Sequence, residues 1–362
     1  MNQALVDKRQ VSAFGERELY NNVYLVAPGV WRLKDIFVNM YLIQDPDEDS
    51  WILVDTGLKS SASKIKKMIS EVSDPDSVPK AIVLTHGHFD HVGSLAQLTN
   101  EWNTTVYAHK LEMPYLTGKA SYPPPDPNAG GGLFSTISFT FPKGPIDIHD
   151  RVQELPDNGS VPGLSGWKWI HTPGHAPGHI SLFRERDGVL IAGDAFATTR
   201  QESIFSVMSQ KREICGPPKY FTPDWGSAAR SVKALAALEP NVITTGHGHA
   251  LYGNEARHGL HKLAREFWQL GMPGTGRYVN EPALFNEDGP TYIPKKKGGM
   301  FIRILAAGAL LAAGIYLYKR RQKKLGTTLL TSSLQMLTGA VPAAATTLSS
   351  PLATIAPILG RL

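Results

Sequence analysis

Thr85-His86-Gly87-His88-Phe89-Asp90-His91 follows directly on the apolar run Ala81-Ile82-Val83-Leu84. A short apolar run that stops at a polar, glycine-bearing segment reads as a buried strand and the turn after it. Three imidazoles and one carboxylate therefore leave a single strand tip between positions 86 and 91. Neutral imidazole and carboxylate are natural ligands for zinc and for iron or manganese. One loop cannot close such a site, so further ligands have to arrive from elsewhere in the chain.

Three later motifs offer them. They are Thr172-Pro173-Gly174-His175-Ala176-Pro177-Gly178-His179, then Ile191-Ala192-Gly193-Asp194-Ala195, then Thr244-Thr245-Gly246-His247-Gly248-His249. Each carries a ligand-type side chain on a turn rich in Gly or Pro, and the last two follow the apolar runs 189–192 and 241–243. Rigid strand ends that hold polar side chains at one rim make a good metal site. Of the twelve histidines, eight fall in 86–91, 171–179 and 247–249, a clustering that scattered core histidines would not show.

With these residues in view, the chain resembles the metallo-β-lactamase-fold superfamily of metal-dependent hydrolases. The resemblance rests on Asp55-Thr56-Gly57, then His86-x-His88-x-Asp90-His91, then His175, Asp194 and His247, in that order, and spans residues 20 to 270. It implies two divalent metal ions, zinc first, with manganese or iron(II) as alternatives. His86, His88 and His175 match the ligands of the first ion, and Asp90, His91 and His247 those of the second. Asp194 matches the carboxylate that bridges both. The implied chemistry is attack by a hydroxide shared between the metals, with Asp90 accepting the proton of the attacking water.

Neighbouring polar residues have other expected roles. His179 reads as a residue beside the ligands that helps to hold them. Asp55 could fix the tautomer of a ligand imidazole or simply end strand 51–54 and cap a turn. His249, two positions past His247, reads as a loop residue. His109, His149, His258 and His261 read as ordinary surface or core histidines, and Cys215 as a small buried side chain. With one cysteine no intrachain disulfide can form.

Hydrophobic residues at 42 % and charged residues at 19 % fit a folded globular protein with an apolar appendage. The net charge is +5, yet nine cations (Lys295, Lys296, Lys297, Arg303, Lys319, Arg320, Arg321, Lys323 and Lys324) surround one apolar segment. Without them the remainder is acidic, so a nucleic-acid groove is not indicated and a small-molecule substrate is expected. That segment, 300–318, carries only Arg303 as a charge and ends in Tyr316 and Tyr318. As a helix it would reach roughly 28 Å, close to the hydrocarbon thickness of a bilayer. It is therefore expected to be a transmembrane helix. The N-terminus shows no apolar core of signal-peptide length, which places the catalytic domain in the cytoplasm, anchored to a membrane.

Apolar periodicity predicts strands at 23–27, 30–33, 38–43, 51–54, 105–108, 167–171, 180–183, 189–192 and 242–244. It predicts helices at 61–72, 224–238 and 254–270. The stretch 114–162, with Pro123-Pro124-Pro125 and Gly130-Gly131-Gly132, reads as a long insertion, either a lid near the metal rim or an idle surface loop. The fold class is α/β: the four-layer αββα sandwich that the resemblance implies, with a C-terminal transmembrane helix. The expected domains are a catalytic domain at 1–275, a linker at 276–299, the span at 300–318, and a basic stop with an uncharged tail at 319–362.

The expected activity is metal-dependent hydrolysis of an ester, thioester or lactone. Fold does not choose among the superfamily's reactions. A mononuclear iron sulfur dioxygenase and a phosphodiesterase remain alternatives, and a binding protein on a degenerate hydrolase fold is the non-enzymatic one. Ala197 stands three positions after Asp194, where the acyl-homoserine lactonases of this superfamily carry a tyrosine.

Overall fold

In the computed structural model, which describes residues 15–295 except 46, 48, 49 and 75, the first half of the chain builds an eight-stranded sheet in sequence order. Its strands are β1 (Arg17–Tyr20), β2 (Val23–Ala27), β3 (Val30–Asp35), β4 (Val38–Asp45), β5 (Ser50–Val54), β6 (Ala81–Val83), β7 (Thr105–Ala108) and β8 (Val152–Glu154). Pairing is antiparallel from β1 to β5 and parallel from β5 to β8. A second, six-stranded sheet holds β9 (Ser160–Val161), β10 (Leu164–His171), β11 (Ile180–Arg184), β12 (Val189–Ile191), β13 (Val242–Thr244) and β14 (Leu251–Tyr252). Its order is β14-β13-β12-β11-β10-β9.

The side-chain alternation of each strand dictates the layers. Along β5, Ile52 and Val54 point into a core shared with Trp167, Leu182, Ile191 and Val242 of the second sheet. Leu53 points the other way, onto Ile65, Met68 and Ile69 of helix Ala62–Val72 and Leu95 and Leu98 of helix Leu95–Trp102. In the same manner Val189 and Ile191 face the inter-sheet core. Leu190 between them packs with Val232 and Leu235 of helix Trp225–Ala236 and Leu260 and Leu263 of helix Gly253–Arg265. Two apolar faces per sheet force four layers, αββα.

The fold expectation is corrected in one part. Among the described residues no helix is long and apolar enough to cross a membrane. The longest, Gly253–Arg265, has 13 residues, about 20 Å at 1.5 Å per residue against a hydrocarbon core of about 30 Å, and exposes a charged face. The transmembrane helix and the membrane-anchored location and membrane partner that rested on it are therefore dropped; the stretch 300–318 lies outside the described residues. Within the segment read as a linker, β15 (Leu284–Asn286) and β16 (Gly289–Tyr292) pair as a hairpin. Tyr278 just before them is buried against the insertion, its hydroxyl donating to the Pro124 carbonyl at 2.7 Å.

Candidate metal centre

Four strand ends converge where the two sheets share a rim. The chain leaves β6 into the 85–91 loop, crosses from β10 to β11 through His175, and leaves β12 and β13 at Asp194 and His247. All seven residues singled out as ligands lie here, none more than 7 % exposed. The structure groups them as His86, His88 and His175, as His86, His91 and Asp194, and as Asp90, His91 and His247. In each triad the candidate ligand atoms lie within 4.8 Å of one another.

Hydrogen bonds on the far side of each ring decide which nitrogen faces inward. The Asp55 carboxylate accepts from the Thr85 backbone N–H at 2.8 Å and the Thr85 hydroxyl at 2.7 Å, and pairs with His91 Nδ1 at 2.8 Å. Asp55 thus orients an imidazole, and instead of capping its own turn it ties the end of β5 to the end of β6. His247 Nδ1 lies 2.8 Å from the Phe37 carbonyl, His86 Nδ1 3.1 Å from the Thr85 hydroxyl, and His175 Nδ1 3.4 Å from the Thr222 hydroxyl. His88 is turned the other way, with Nδ1 facing His175 Nε2 at 2.9 Å. Such outer partners fix the tautomer of a metal-binding histidine.

What remains in the middle is a set of inward atoms with too few partners. His86 Nε2, His91 Nε2 and Asp194 Oδ1 are buried without any hydrogen bond, a costly state for three polar atoms unless something else meets them. The spacings suit a cation. Asp194 Oδ2 lies 3.0 Å from His247 Nε2, 3.4 Å from His175 Nε2 and 3.7 Å from His91 Nε2, and Asp90 Oδ2 lies 3.6 Å from His247 Nε2. Ligands about 2.1 Å from a tetrahedral ion stand about 3.4 Å apart. The donor set therefore fits a divalent metal site, with Asp194 within reach of both histidine triads.

Electrostatics point the same way. Burial, aided by the neighbouring imidazoles, holds His86 and His175 well below the ordinary histidine range and His88 at about 3, so these rings are neutral, the form that binds metal. Burial pushes the Asp90 carboxyl upward against the pull of His91 and His247. Burial would also raise Asp194, but His247 and His91 outweigh it and hold the carboxyl well below its usual range. At His91 burial is overcome by Asp55, Asp194 and Asp90, which raise the ring well above its usual value. The acid-rich half of the cluster thus demands positive charge at its centre.

The remaining sequence candidates fall outside this ring of donors. His179 Nε2 accepts the Asp194 backbone N–H at 2.8 Å, and its Nδ1 meets the Thr172 hydroxyl at 2.8 Å, so it holds the backbone of Asp194. His249 pairs with Glu16, away from the cluster. His109 and His171 stack on each other, centroids 4.1 Å apart. Gly246 sits so close that a Cβ there would stand 2.0 Å from Asp194 Oδ1.

Two supporting residues were not visible in the sequence. Glu112, fully buried, accepts the Gly87 N–H at 2.9 Å, the Gly178 N–H at 2.7 Å and the Tyr122 hydroxyl. It thereby joins the loop of His86 and His88 to the loop of His175 and His179. Asn39 donates to the carbonyls of Thr245 and Gly248, both at 2.8 Å, and braces the His247 turn. A single Glu among Met, Leu and Pro carries no periodic signal, and Asn39 reads as an ordinary strand residue.

The family model described as the Metallo-beta-lactamase superfamily matches residues 33–247. The chain is 48 % identical over 239 residues to "Probable metallo-hydrolase YflN" of Bacillus subtilis, covering 66 % of this chain and 90 % of that protein. It is 27 % identical over 158 residues to "Hydroxyacylglutathione hydrolase GloC" of Haemophilus influenzae, covering 43 % of this chain and 65 % of that one. Among solved structures it resembles a metallo-beta-lactamase family protein from Thermus thermophilus, with a TM-score of 0.45 and 23 % identity over 67 % of this chain and 80 % of that one.

Proposed function

Because the chain belongs to the metallo-β-lactamase superfamily and is a metallo-hydrolase, we propose that it cleaves an ester, thioester or lactone with the help of two divalent metal ions, zinc in the first instance. His86, His88 and His175 would hold one ion, Asp90, His91 and His247 the other, and Asp194 would serve both. When bound, such a pair supplies Lewis acidity that lowers the pKa of water toward neutrality and polarises an oxygen of the substrate.

The chain's own groups do the rest. Asp55, Thr85, Thr222 and the Phe37 carbonyl keep four imidazoles turned with Nε2 inward. Asp90, grouped with His91 and His247 at the same centre, would accept a proton at a carboxylate oxygen as water attacks. Phe37 and Phe221 stack against His247 and His88, with centroids 6.1 and 4.7 Å apart, and exclude bulk water from the donors. The likeness to a hydroxyacylglutathione hydrolase favours a thioester within this class.

The observation that carries the reading is the trio of partnerless buried atoms, His86 Nε2, His91 Nε2 and Asp194 Oδ1. The test is elemental analysis of the purified chain beside turnover of matched ester, thioester, lactone and phosphodiester substrates. Two divalent ions per chain with cleavage of an acyl substrate is the expected result. One iron per chain without hydrolysis would instead indicate the dioxygenase chemistry, and turnover of the phosphodiester alone a phosphodiesterase.

A further inference from the structure

Two cavities open on the metal cluster, one on each side of Tyr220. The first, with about 220 Å³ of empty space, has His88 and His175 on its floor and Tyr122, Phe221 and the prolines 123–125 as walls. The second, about 240 Å³, has Asp90 on its floor and Phe37, Phe89, Phe134 and Phe141 as walls. Residues of the 114–162 insertion supply walls to both, so that segment covers the metal rim. Its Phe141 packs against Phe89, Tyr220 and Phe221 at 5.5–6.0 Å between centroids, and its Phe134 against Phe37 at 6.0 Å.

Among the described residues no Lys or Arg lines either cavity. Gln201 is the one polar wall of the second there, besides Asp90 and the Tyr220 hydroxyl. An anionic group placed against such walls, away from the floor, loses its hydration and finds no cationic side chain there, whereas an apolar group gains by leaving water.

Resting on the hydrolase reading above, we propose that the substrate is a neutral ester or thioester with two apolar arms. One arm sits against the prolines 123–125 and Phe221, the other among Phe37, Phe134 and Phe141, and the reacting carbonyl lies between them over the histidines. A substrate whose arms carry carboxylates or phosphates is selected against by the same walls.

The test uses the metal-replete full chain and two matched esters, phenyl propionate and monophenyl succinate, which differ by a carboxylate at the far end of the acyl arm. The neutral ester should show a kcat/KM at least tenfold higher. Phe134→Lys and, separately, Phe141→Lys should each narrow that ratio. Calorimetric binding of the uncleavable ketones 1-phenylbutan-2-one and 4-oxo-5-phenylpentanoate gives a readout that needs no turnover, and the neutral ketone should bind tighter. Equal or better use of the succinate ester, or tighter binding of the charged ketone, would overturn the proposal while leaving the hydrolase reading intact. If neither ester is cleaved but the neutral ketone binds tighter, the cavity assignment stands and the reaction class is what fails.

Discussion

Replacing Glu112 tests whether one buried carboxylate holds two ligand loops in register. Its two oxygens accept the Gly87 and Gly178 N–H groups and the Tyr122 hydroxyl. Gly87 stands between His86 and His88, and Gly178 between His175 and His179. Glu112→Ala would leave the Gly178 N–H and the Tyr122 hydroxyl without an acceptor, at about 1–3 kcal/mol each, while the Gly87 N–H keeps the Tyr122 oxygen at 2.9 Å; with the added cavity a loss of about 3–6 kcal/mol is expected. Glu112→Gln keeps the shape and one acceptor oxygen but turns an NH2 toward the other N–H, so about 1–3 kcal/mol is expected. Burial pushes the Glu112 carboxyl up to about 7 against its three donors, so its charge adds little and the acceptor geometry carries the effect. Because both loops bear ligands, metal affinity should also fall about 10–100-fold, as for other outer partners of metal ligands. The assays are urea unfolding of the metal-free chain and zinc titration against a chromophoric chelator. A Gln variant with the wild-type midpoint and the wild-type zinc affinity would refute the reasoning.

Asp194→Ala removes the carboxylate in reach of both triads and should lower bound metal and activity together; elemental analysis showing full metal content would contradict that placement. His175→Ala should cost on the order of 100-fold or more in turnover. His249→Ala, whose ring faces Glu16, should stay within about threefold of wild type, as expected of a change away from buried machinery. Acid stability should depend in part on the stacked pair His109 and His171, both lowered chiefly by burial, His109 to about 4. A histidine held below its unfolded value of about 6.5 stabilises fully above that pH, and the contribution is lost as pH falls through about 4. In chelator, the urea midpoint of His109→Asn should therefore drop less than that of wild type between about pH 7 and pH 4.5; equal drops would exclude the pair as a source of acid sensitivity.

The parts of this fold that are legible from sequence are those whose pattern records burial on one or both faces. The expected strand matches Thr105–Ala108 to the residue, and the expected helix matches Ala62–Val72 to within one, because Ile65, Met68 and Ile69 mark a helical stripe. The helix expected over 254–270 breaks at Glu266 into Gly253–Arg265 and Phe267–Leu270, a break with no Pro or Gly to announce it. Strands β1 and β16 escape the pattern because Arg17–Tyr20 is mostly exposed and Gly289–Tyr292 contains a proline, so neither alternates. The site's ligand-type residues stand out because Gly and Pro frame them after apolar runs. Glu112 and Asn39 do not, because what makes them matter is partners far away in sequence. The run 137–141, which alternates like a strand, closes a short helix, Leu133–Ile137, with a 3-10 turn at Ser138–Thr140. There Phe134 and Phe141 face the cavity, an environment that sequence periodicity cannot report.

The four strand ends that meet at the metal centre are made at very different times. His86, His88, Asp90 and His91 leave the ribosome together, while His247 follows 161 residues after His86. At about 5–20 residues per second, that interval lasts roughly 8–30 s. Until His175 and Asp194 follow, 89 and 108 residues after His86, the nascent chain displays three imidazoles and a carboxylate with no later ligand-type residue to define their geometry. Nitrogen-rich sites without imposed geometry bind divalent metals in the order that puts copper first. On the proposed two-ion reading the second sheet would act as a late selector, since Asp194 and His247, which follow β12 and β13, would complete the spacing and charge that a bound ion meets.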